Sequence, residues 1–106
     1  MSAAFVTRDK LFASGEIDWA LGESLAIGTL LNEGVSVRLA GQDSRRGTFA
    51  HRHATLHDYV NGDEFTPLDE LGSGDTNFWV YDSTLSEYAG LGFEYGYSLA
   101  NPKALV

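Results

Sequence analysis

Apolar side chains recur at intervals of three and four residues along residues 16–32, which predicts an amphipathic helix there. Asp18 suits the N-terminal end of that helix, because carboxylates complement the helix dipole. Gly34 suits a left-handed cap beyond the other end. Residues 35–40 then alternate between apolar and other side chains and predict a short strand. The polar residues 41–47, which begin and end in glycine, predict a loop.

A compact apolar run and a second helical pattern mark the last third of the chain. Residues 78–81 read Phe-Trp-Val-Tyr and predict a buried strand, and residues 85–100 predict a helix. Trp19 and Trp79 are expected in the core. Glu94 is expected as a charge on the exposed face of the helix, with a role at an interface as the alternative. Glycine destabilises a helix interior by about 1 kcal/mol relative to alanine. Three glycines in the helix therefore predict close packing against another backbone: Gly90, Gly92 and Gly96.

The segment between these elements predicts a hairpin. Asn61-Gly62 is the residue pair typical of a type I′ turn, so residues 55–60 and 63–67 are expected to pair. Residues 68–71 predict one helical turn, and residues 103–106 predict the start of another strand. The order of elements indicates an α/β fold with a mainly parallel sheet, helical cover and an inserted hairpin.

Composition narrows the classes of function. The 106 residues are 43% apolar and 12% aromatic, which is enough for one core. Seven basic residues against 15 acidic ones give a net charge of −8, which disfavours nucleic acid and anionic membranes as partners. The absence of cysteine excludes disulfides and a thiol nucleophile and is compatible with a reducing compartment. No apolar stretch approaches the ~18 residues of a membrane span, and no targeting segment is recognised. We therefore expect a cytoplasmic protein.

The domain boundaries follow from the same patterns. Residues 1–14 are interpreted as an N-terminal leader and residues 15–106 as a partial domain. The apolar run at residues 104–106 predicts a domain that is cut short within a strand.

Histidine and arginine supply the candidate chemistry of the middle segment. On a strand, His51 and His53 would share one face and Arg52 the other. An imidazole there is able to move protons or to bind a carboxylate, and two hydrogen-bonding surface histidines are the alternative. No metal site is predicted, because the carboxylates around His57 lack ligand spacing. Arg45, in the loop after the first strand, suits a dicarboxylate substrate or simply a solvated turn.

Glu87 begins the second predicted helix and is open to two interpretations. The residues Thr84-Leu85-Ser86-Glu87 match a capping box, with Thr84 as the N-cap and Glu87 three residues later. A carboxylate in this position also suits general acid–base chemistry.

Two long blocks, residues 41–54 and 81–98, resemble segments of the thiamine-diphosphate-dependent first component of 2-oxoglutarate dehydrogenase complexes. Shorter stretches fit the same family in the same order: residues 17–20, Glu23 and residues 37–39. The pair Arg45-Arg46 looks most like the actinobacterial form, which also decarboxylates 2-oxoglutarate without dehydrogenation. The resemblance implies a partial pyrimidine-binding domain of the transketolase-like arrangement, and oxidoreductase activity in the tricarboxylic acid cycle.

The same resemblance implies roles for four residues. Glu87 matches the carboxylate that binds the cofactor and exchanges a proton with N1′ of its aminopyrimidine, which makes it both catalytic and cofactor-binding. His53 matches an active-site histidine with catalytic and substrate-binding roles. His51 and Arg45 are expected on the substrate side.

Partners are likewise implied by the resemblance. The family uses thiamine diphosphate with Mg²⁺, and the Mg²⁺ and diphosphate site is expected outside this chain. Homodimers hold the cofactor between this domain and the diphosphate-binding domain of the partner subunit, and the acyl group passes to a lipoyl-bearing acyltransferase component. We therefore expect the chain alone to be inactive.

The alternative is a stand-alone α/β interaction or regulatory domain that keeps the fold without catalysis. A small histidine-dependent hydrolase is disfavoured, because no serine lies in a Gly-x-Ser-x-Gly pattern.

Overall fold

Two short strands that pair in parallel form the centre of the fold. The structure is a computed structural model that describes residues 3–106, with side chains from residue 5 onward. Its elements in chain order are α1 (Ala3–Ser14), α2 (Trp19–Asn32), β1 (Val37–Gly41), β2 (Leu56–His57), β3 (Glu64–Phe65), a 3₁₀ helix (Pro67–Leu71), β4 (Phe78–Asp82) and α3 (Glu87–Ala100).

The sheet has the parallel order that the sequence predicts. β1 and β4 pair from Val37–Phe78 to Gly41–Asp82. On the other side of β1, Leu105 forms a single parallel bridge with Val37. The α/β class with a parallel sheet and helices is confirmed, whereas the strand predicted over residues 103–106 is reduced to this one bridge.

The core lies where α2 packs on the sheet. Ile27 and Leu31 of α2 contact Val37, Phe78 and Val80, and all five side chains are buried. Leu31 is 0% exposed. Full burial of such a side chain stabilises the fold by about 1.5–3 kcal/mol, so this contact fixes α2 against β1 and β4.

The ends of α2 follow from two local contacts. The carboxylate of Asp18 accepts a hydrogen bond of 2.8 Å from the backbone N–H of Leu21, which starts the helix at Trp19 rather than at residue 16. At the other end, Gly34 has φ of 83°, as a left-handed cap requires. The prediction for Gly34 is confirmed.

Trp19 is 94% exposed, so its expected place in the core is wrong. The face of α2 that meets the sheet is set by Ala20, Ile27 and Leu31. Trp19 precedes that face by one residue, and one residue rotates a helical side chain by about 100°. Trp79 in β4 is partly buried and packs edge-to-face on Tyr97, with ring centroids 6.5 Å apart.

The hairpin is confirmed, but its turn is not type I′. Only Gly62 of the pair has positive φ, whereas a type I′ turn also needs a positive φ at Asn61. The loop is instead closed by Asp58, whose N–H donates to the carbonyl of Asp63 at 2.7 Å and whose carboxylate accepts from the N–H of Asn61. The strands pair through Leu56–Phe65 and His57–Glu64. The helical turn predicted next to the hairpin is the 3₁₀ helix.

The third helix lies against the sheet with much of its surface uncovered. Within the described residues, α3 has no buried side chain. A Cβ atom added at Gly90, Gly92 or Gly96 meets nothing within 4 Å. The close packing expected at these glycines is therefore absent within the described chain.

The first helix, α1, was not predicted from the sequence. It has no acidic residue in its first turn, so one of the indicators of a helix start is missing. Arg8 ties it to the rest of the fold, because its guanidinium donates to the backbone carbonyls of His51, at 3.0 Å, and of Arg52.

Candidate functional site

A groove of about 630 Å³ lies between β1 and α3, and we call it the α3 cavity. Its walls are β1 with the residue that follows it, the turn between β4 and α3, one face of α3, and Val106. Gly41 ends β1 and Ser83 follows β4, and both line the cavity. Ligands of open α/β sheets bind at the carboxyl ends of parallel strands, so the cavity occupies the expected place for a site.

Glu87 is the first residue of α3 and lines the α3 cavity. The N-cap is Ser86, whose hydroxyl oxygen accepts a hydrogen bond of 3.3 Å from the N–H of Ala89. A capping box requires its acidic residue three positions after the N-cap, so the capping-box interpretation with Thr84 as N-cap is wrong. Among the described residues, the exposed Glu87 carboxylate has no hydrogen-bond or ion-pair partner. It is therefore available to a ligand in the cavity.

Arg38 and Glu94 form the inner wall of the same cavity. The Nε of Arg38 lies 2.7 Å from Oε2 of Glu94, and its Nη2 lies 3.0 Å from Oε1. The two side chains are only 14% and 19% exposed. The hydrogen bond to Glu94 raises the pKa of Arg38 above its ordinary value, against the opposing effect of burial. The expectation that Glu94 is an exposed surface charge is therefore wrong.

Leucine side chains complete the α3 cavity. Leu39 comes from β1, Leu85 precedes α3, and Leu91 lies on α3 itself. A largely apolar groove that also holds one carboxylate without a partner among the described residues is typical of a ligand site.

Arg45 lies outside this cavity. Its Nη1 donates to Oε1 of Glu64 in β3 at 2.9 Å, and its Nε donates to the carbonyl of Val80 at 3.4 Å. The backbone N–H of Arg45 donates to the carboxylate of Asp82 at 2.9 Å. The loop after β1 is thus tied to both the hairpin and the end of β4, and the guanidinium already has a carboxylate partner.

His51 and His53 do not lie on a strand, so the shared face expected for them does not form. Their segment turns through Ala50 and His53, which have φ of 51° and 45°. The Nε2 of His53 lies 2.7 Å from the carbonyl oxygen of Ala50. The ring of His51 packs on Gly47, where an added Cβ would lie 2.5 Å from it, and its buried Nδ1 has no hydrogen-bond partner in the described structure.

A second and smaller groove, of about 150 Å³, holds His53, and we call it the histidine cavity. It is lined by Arg8 of α1, Glu23 of α2 and Arg52 among others. The structure therefore brings His53 together with two arginines, but places it in a different cavity from Glu87.

The ion pair between Arg52 and Glu23 is a feature that the sequence patterns did not show. The Arg52 Nε lies 2.5 Å from Oε1 of Glu23, and its Nη2 lies 3.1 Å from Oε2. The hydrogen bond from Arg52 lowers the pKa of Glu23 below its ordinary value. Burial lowers the pKa of Arg8. Glu23 and Arg52 are 29 residues apart, so no local spacing could have indicated the pair.

No group of three or more histidine, aspartate or glutamate side chains within the described residues is arranged to hold a metal ion. None of the helices in the described part of the chain is long and apolar enough to cross a bilayer.

Comparison with known proteins identifies the family. Residues 15–106 match the family described as "Transketolase, pyrimidine binding domain". The chain is 56% identical over 96 residues to the "2-oxoglutarate dehydrogenase E1 component" of Rickettsia conorii, which covers 91% of this chain and 10% of that protein. It is 53% identical over 92 residues to the protein of the same name from Staphylococcus haemolyticus, covering 87% and 10%.

The actinobacterial form is also among the relatives. The chain is 52% identical over 105 residues to the "Multifunctional 2-oxoglutarate metabolism enzyme" of Mycobacterium sp. strain JLS, covering 93% of this chain and 8% of that protein. The resemblance to the first component of 2-oxoglutarate dehydrogenase is thus confirmed, and the chain spans about a tenth of the length of these curated relatives. The chain belongs to the transketolase pyrimidine-binding domain family.

Proposed function

We propose that this chain provides the aminopyrimidine-binding side of the active site of a thiamine-diphosphate-dependent 2-oxoglutarate dehydrogenase or decarboxylase. The observation that supports this most directly is the unpaired carboxylate of Glu87 in the α3 cavity of a transketolase pyrimidine-binding domain. When bound, thiamine diphosphate supplies the carbanion chemistry by which a 2-oxo acid loses carbon dioxide.

Glu87 has the proton-transfer role in this proposal. Its carboxylate accepts a hydrogen bond at N1′ of the aminopyrimidine and exchanges a proton with that nitrogen. The apolar wall, with Leu39, Leu85 and Leu91, offers apolar surface for the ring beside this carboxylate.

His53, His51 and Arg45 are proposed to contact 2-oxoglutarate. His53 is supported by its place in the histidine cavity, where Arg8 and Arg52 add positive charge. The role of Arg45 requires its guanidinium to release the Glu64 carboxylate, which it contacts through Nη1 alone, and to bind a carboxylate of the substrate in its place. The catalytic part of the role of His53 is proton transfer near the reacting carbon.

The remaining partners belong to the whole enzyme. We propose that Mg²⁺ and the diphosphate bind to a diphosphate-binding domain of the partner subunit in a homodimer, and that the acyl group passes to a lipoyl-bearing acyltransferase component. A cytoplasmic location fits the absence of cysteine. The chain alone is expected to release no carbon dioxide from 2-oxoglutarate. The alternative of a non-catalytic regulatory domain is not favoured, because the relatives are named as dehydrogenase components.

The proposal is tested in a chimeric enzyme, in which residues 15–106 of this chain replace the matching segment of the Rickettsia conorii protein. We expect the chimeric enzyme to release carbon dioxide from 2-oxoglutarate when thiamine diphosphate and Mg²⁺ are present. We expect Glu87→Gln to slow exchange of the C2 proton of the bound cofactor by at least ~100-fold, the usual contribution of general acid–base catalysis. Normal exchange in Glu87→Gln would end the assignment.

A further inference from the structure

The guanidinium of Arg38 joins three elements at the inner wall of the α3 cavity. From β1 it reaches Glu94 of α3 through two hydrogen bonds, of 2.7 Å and 3.0 Å. It also lies near the ring of Tyr81 in β4, 4.9 Å from the ring centroid. A planar guanidinium that bonds both oxygens of one carboxylate fixes direction as well as distance.

Two aromatic rings of α3 add to this contact. The carbon atom at the centre of the Arg38 guanidinium lies 4.5 Å from the ring centroid of Tyr97 and 5.5 Å from that of Phe93. α3 has no buried side chain and no close backbone contact at its glycines within the described chain. Arg38 is therefore the main polar contact that sets the rotation of α3 against the sheet.

Glu94 and Glu87 are on the same face of α3. They are seven positions apart, which is about two helical turns, and both line the α3 cavity. Backbone hydrogen bonds connect the two helical turns between these residues. A rotation or shift of α3 at Glu94 therefore moves Glu87 with it.

We propose that Arg38 is a positioning residue for Glu87: by holding Glu94, it sets the direction in which the Glu87 carboxylate points into the α3 cavity. The inference rests on the proposed function, since it concerns how Glu87 meets N1′ of the cofactor. A displacement of about 1 Å from productive geometry is sufficient to slow a reaction by up to 100-fold.

Arg38→Lys in the chimeric enzyme tests the proposal. Lysine keeps the charge but does not form the two-point contact with Glu94. We expect C2-proton exchange of the bound cofactor to slow by about tenfold at saturating thiamine diphosphate. The near-ultraviolet circular dichroism of the bound cofactor should change in parallel, whereas the far-ultraviolet spectrum of the protein should not.

The matched control is Arg46→Lys. Arg46 is an exposed arginine that pairs with Asp43 outside both cavities. Its replacement should leave the exchange rate and both spectra unchanged.

A double-mutant cycle separates positioning from a general structural effect. In a Glu87→Ala background, Arg38→Lys should cause no further loss of exchange, because no carboxylate remains to be positioned. A full tenfold loss in that background would overturn the proposal. Exchange at the wild-type rate in Arg38→Lys, together with slow exchange in Glu87→Gln, would overturn the positioning role and leave the proposed function intact. Normal exchange in Glu87→Gln would overturn both.

Glu94→Gln keeps the test decisive should Arg38→Lys fail to fold. Glutamine preserves the size of Glu94 and one acceptor oxygen, and removes the charge. We expect the same slowing of exchange in Glu94→Gln. Loss of the folded far-ultraviolet spectrum in both variants would show that the pair serves the fold alone and would overturn the positioning role.

Discussion

Glu87 and Glu94 lie on one face of α3 about two turns apart and line the same cavity, yet within the described part of the chain only Glu94 has a partner. The two carboxylates therefore have opposite environments. Glu94 is held by the Arg38 guanidinium at 2.7 Å, whereas the exposed Glu87 carboxylate has no partner among the described residues. In the proposed function, the fixed carboxylate of Glu94 orients α3 and the available carboxylate of Glu87 exchanges the proton.

Glu87 is expected to affect chemistry and not stability. Since it stands directly after the N-cap Ser86, its side chain is not part of a capping box, and neither Glu87→Gln nor Glu87→Ala should change the free energy of unfolding by more than about 0.5 kcal/mol. Both variants should slow C2-proton exchange in the chimeric enzyme by at least ~100-fold. Urea unfolding of the chain, followed by circular dichroism, supplies the stability half of the comparison. A loss near 1 kcal/mol in Glu87→Ala alone would restore the capping role.

Ser86, rather than Thr84, is the N-cap of α3. Ser86→Ala removes the acceptor for the Ala89 N–H and should lower the free energy of unfolding by about 1 kcal/mol. Thr84→Ala is the matched control, because the same change in a residue outside the helix should be silent. Urea unfolding of both variants gives the comparison. Equal losses, or a larger loss for Thr84→Ala, would contradict the observed cap.

The regular elements could be predicted because their patterns are local. The burial of Leu31 was predictable from helical spacing, and the strand over residues 78–81 was predictable from its apolar composition. The same spacing placed Ile17 and Leu25 on the apolar face and left out Ile27, whereas the structure exposes the first two and buries Ile27. Trp19 shows the limit of that reasoning. Its size suggested burial, but the rotation of α2 on the sheet, which only packing decides, leaves it exposed.

The candidate site was only partly accessible to sequence reasoning. Glu87 was found from its position at a helix start and from a family resemblance. The partner of Arg38 lies 56 residues away and the partner of Arg52 lies 29 residues away, so both pairs depend on tertiary contacts. His53 has positive φ, which a strand interpretation of its segment could not anticipate, because few residues other than glycine adopt that conformation.

The ion pair of Glu23 and Arg52 should make stability depend on pH in the acidic range. Arg52 holds the pKa of Glu23 below its ordinary value of 4.5. A carboxyl with a lowered folded-state pKa adds stability that is present above its ordinary pKa and is lost as pH falls through the lowered one. Glu23→Gln should therefore lower the unfolding free energy at pH 7 and flatten its decline below about pH 4.5.

Glu70→Gln is the control for this pH dependence, because Glu70 is exposed and has no ion-pair partner among the described residues. Thermal unfolding between pH 3 and pH 7 measures both variants against the unchanged chain. Parallel curves for Glu23→Gln and the unchanged chain would show that the pair contributes nothing that depends on pH.

The open side of α3 provides a test of the proposed homodimer. A Cβ added at Gly96 meets nothing within 4 Å, so alanine fits there without a clash. Gly96→Ala should therefore stabilise the chain by about 0.5–1 kcal/mol, because alanine lowers the conformational entropy of the unfolded chain. Gly34→Ala is the opposing control, since φ of 83° there makes alanine unfavourable and the same substitution should destabilise the chain. In the assembled chimeric enzyme, close approach of a backbone from the partner subunit would account for a glycine at position 96. Gly96→Ala should therefore weaken dimer association there, measured by sedimentation at decreasing protein concentration. Unchanged association together with a stabilised chain would show that this face of α3 is not the dimer contact.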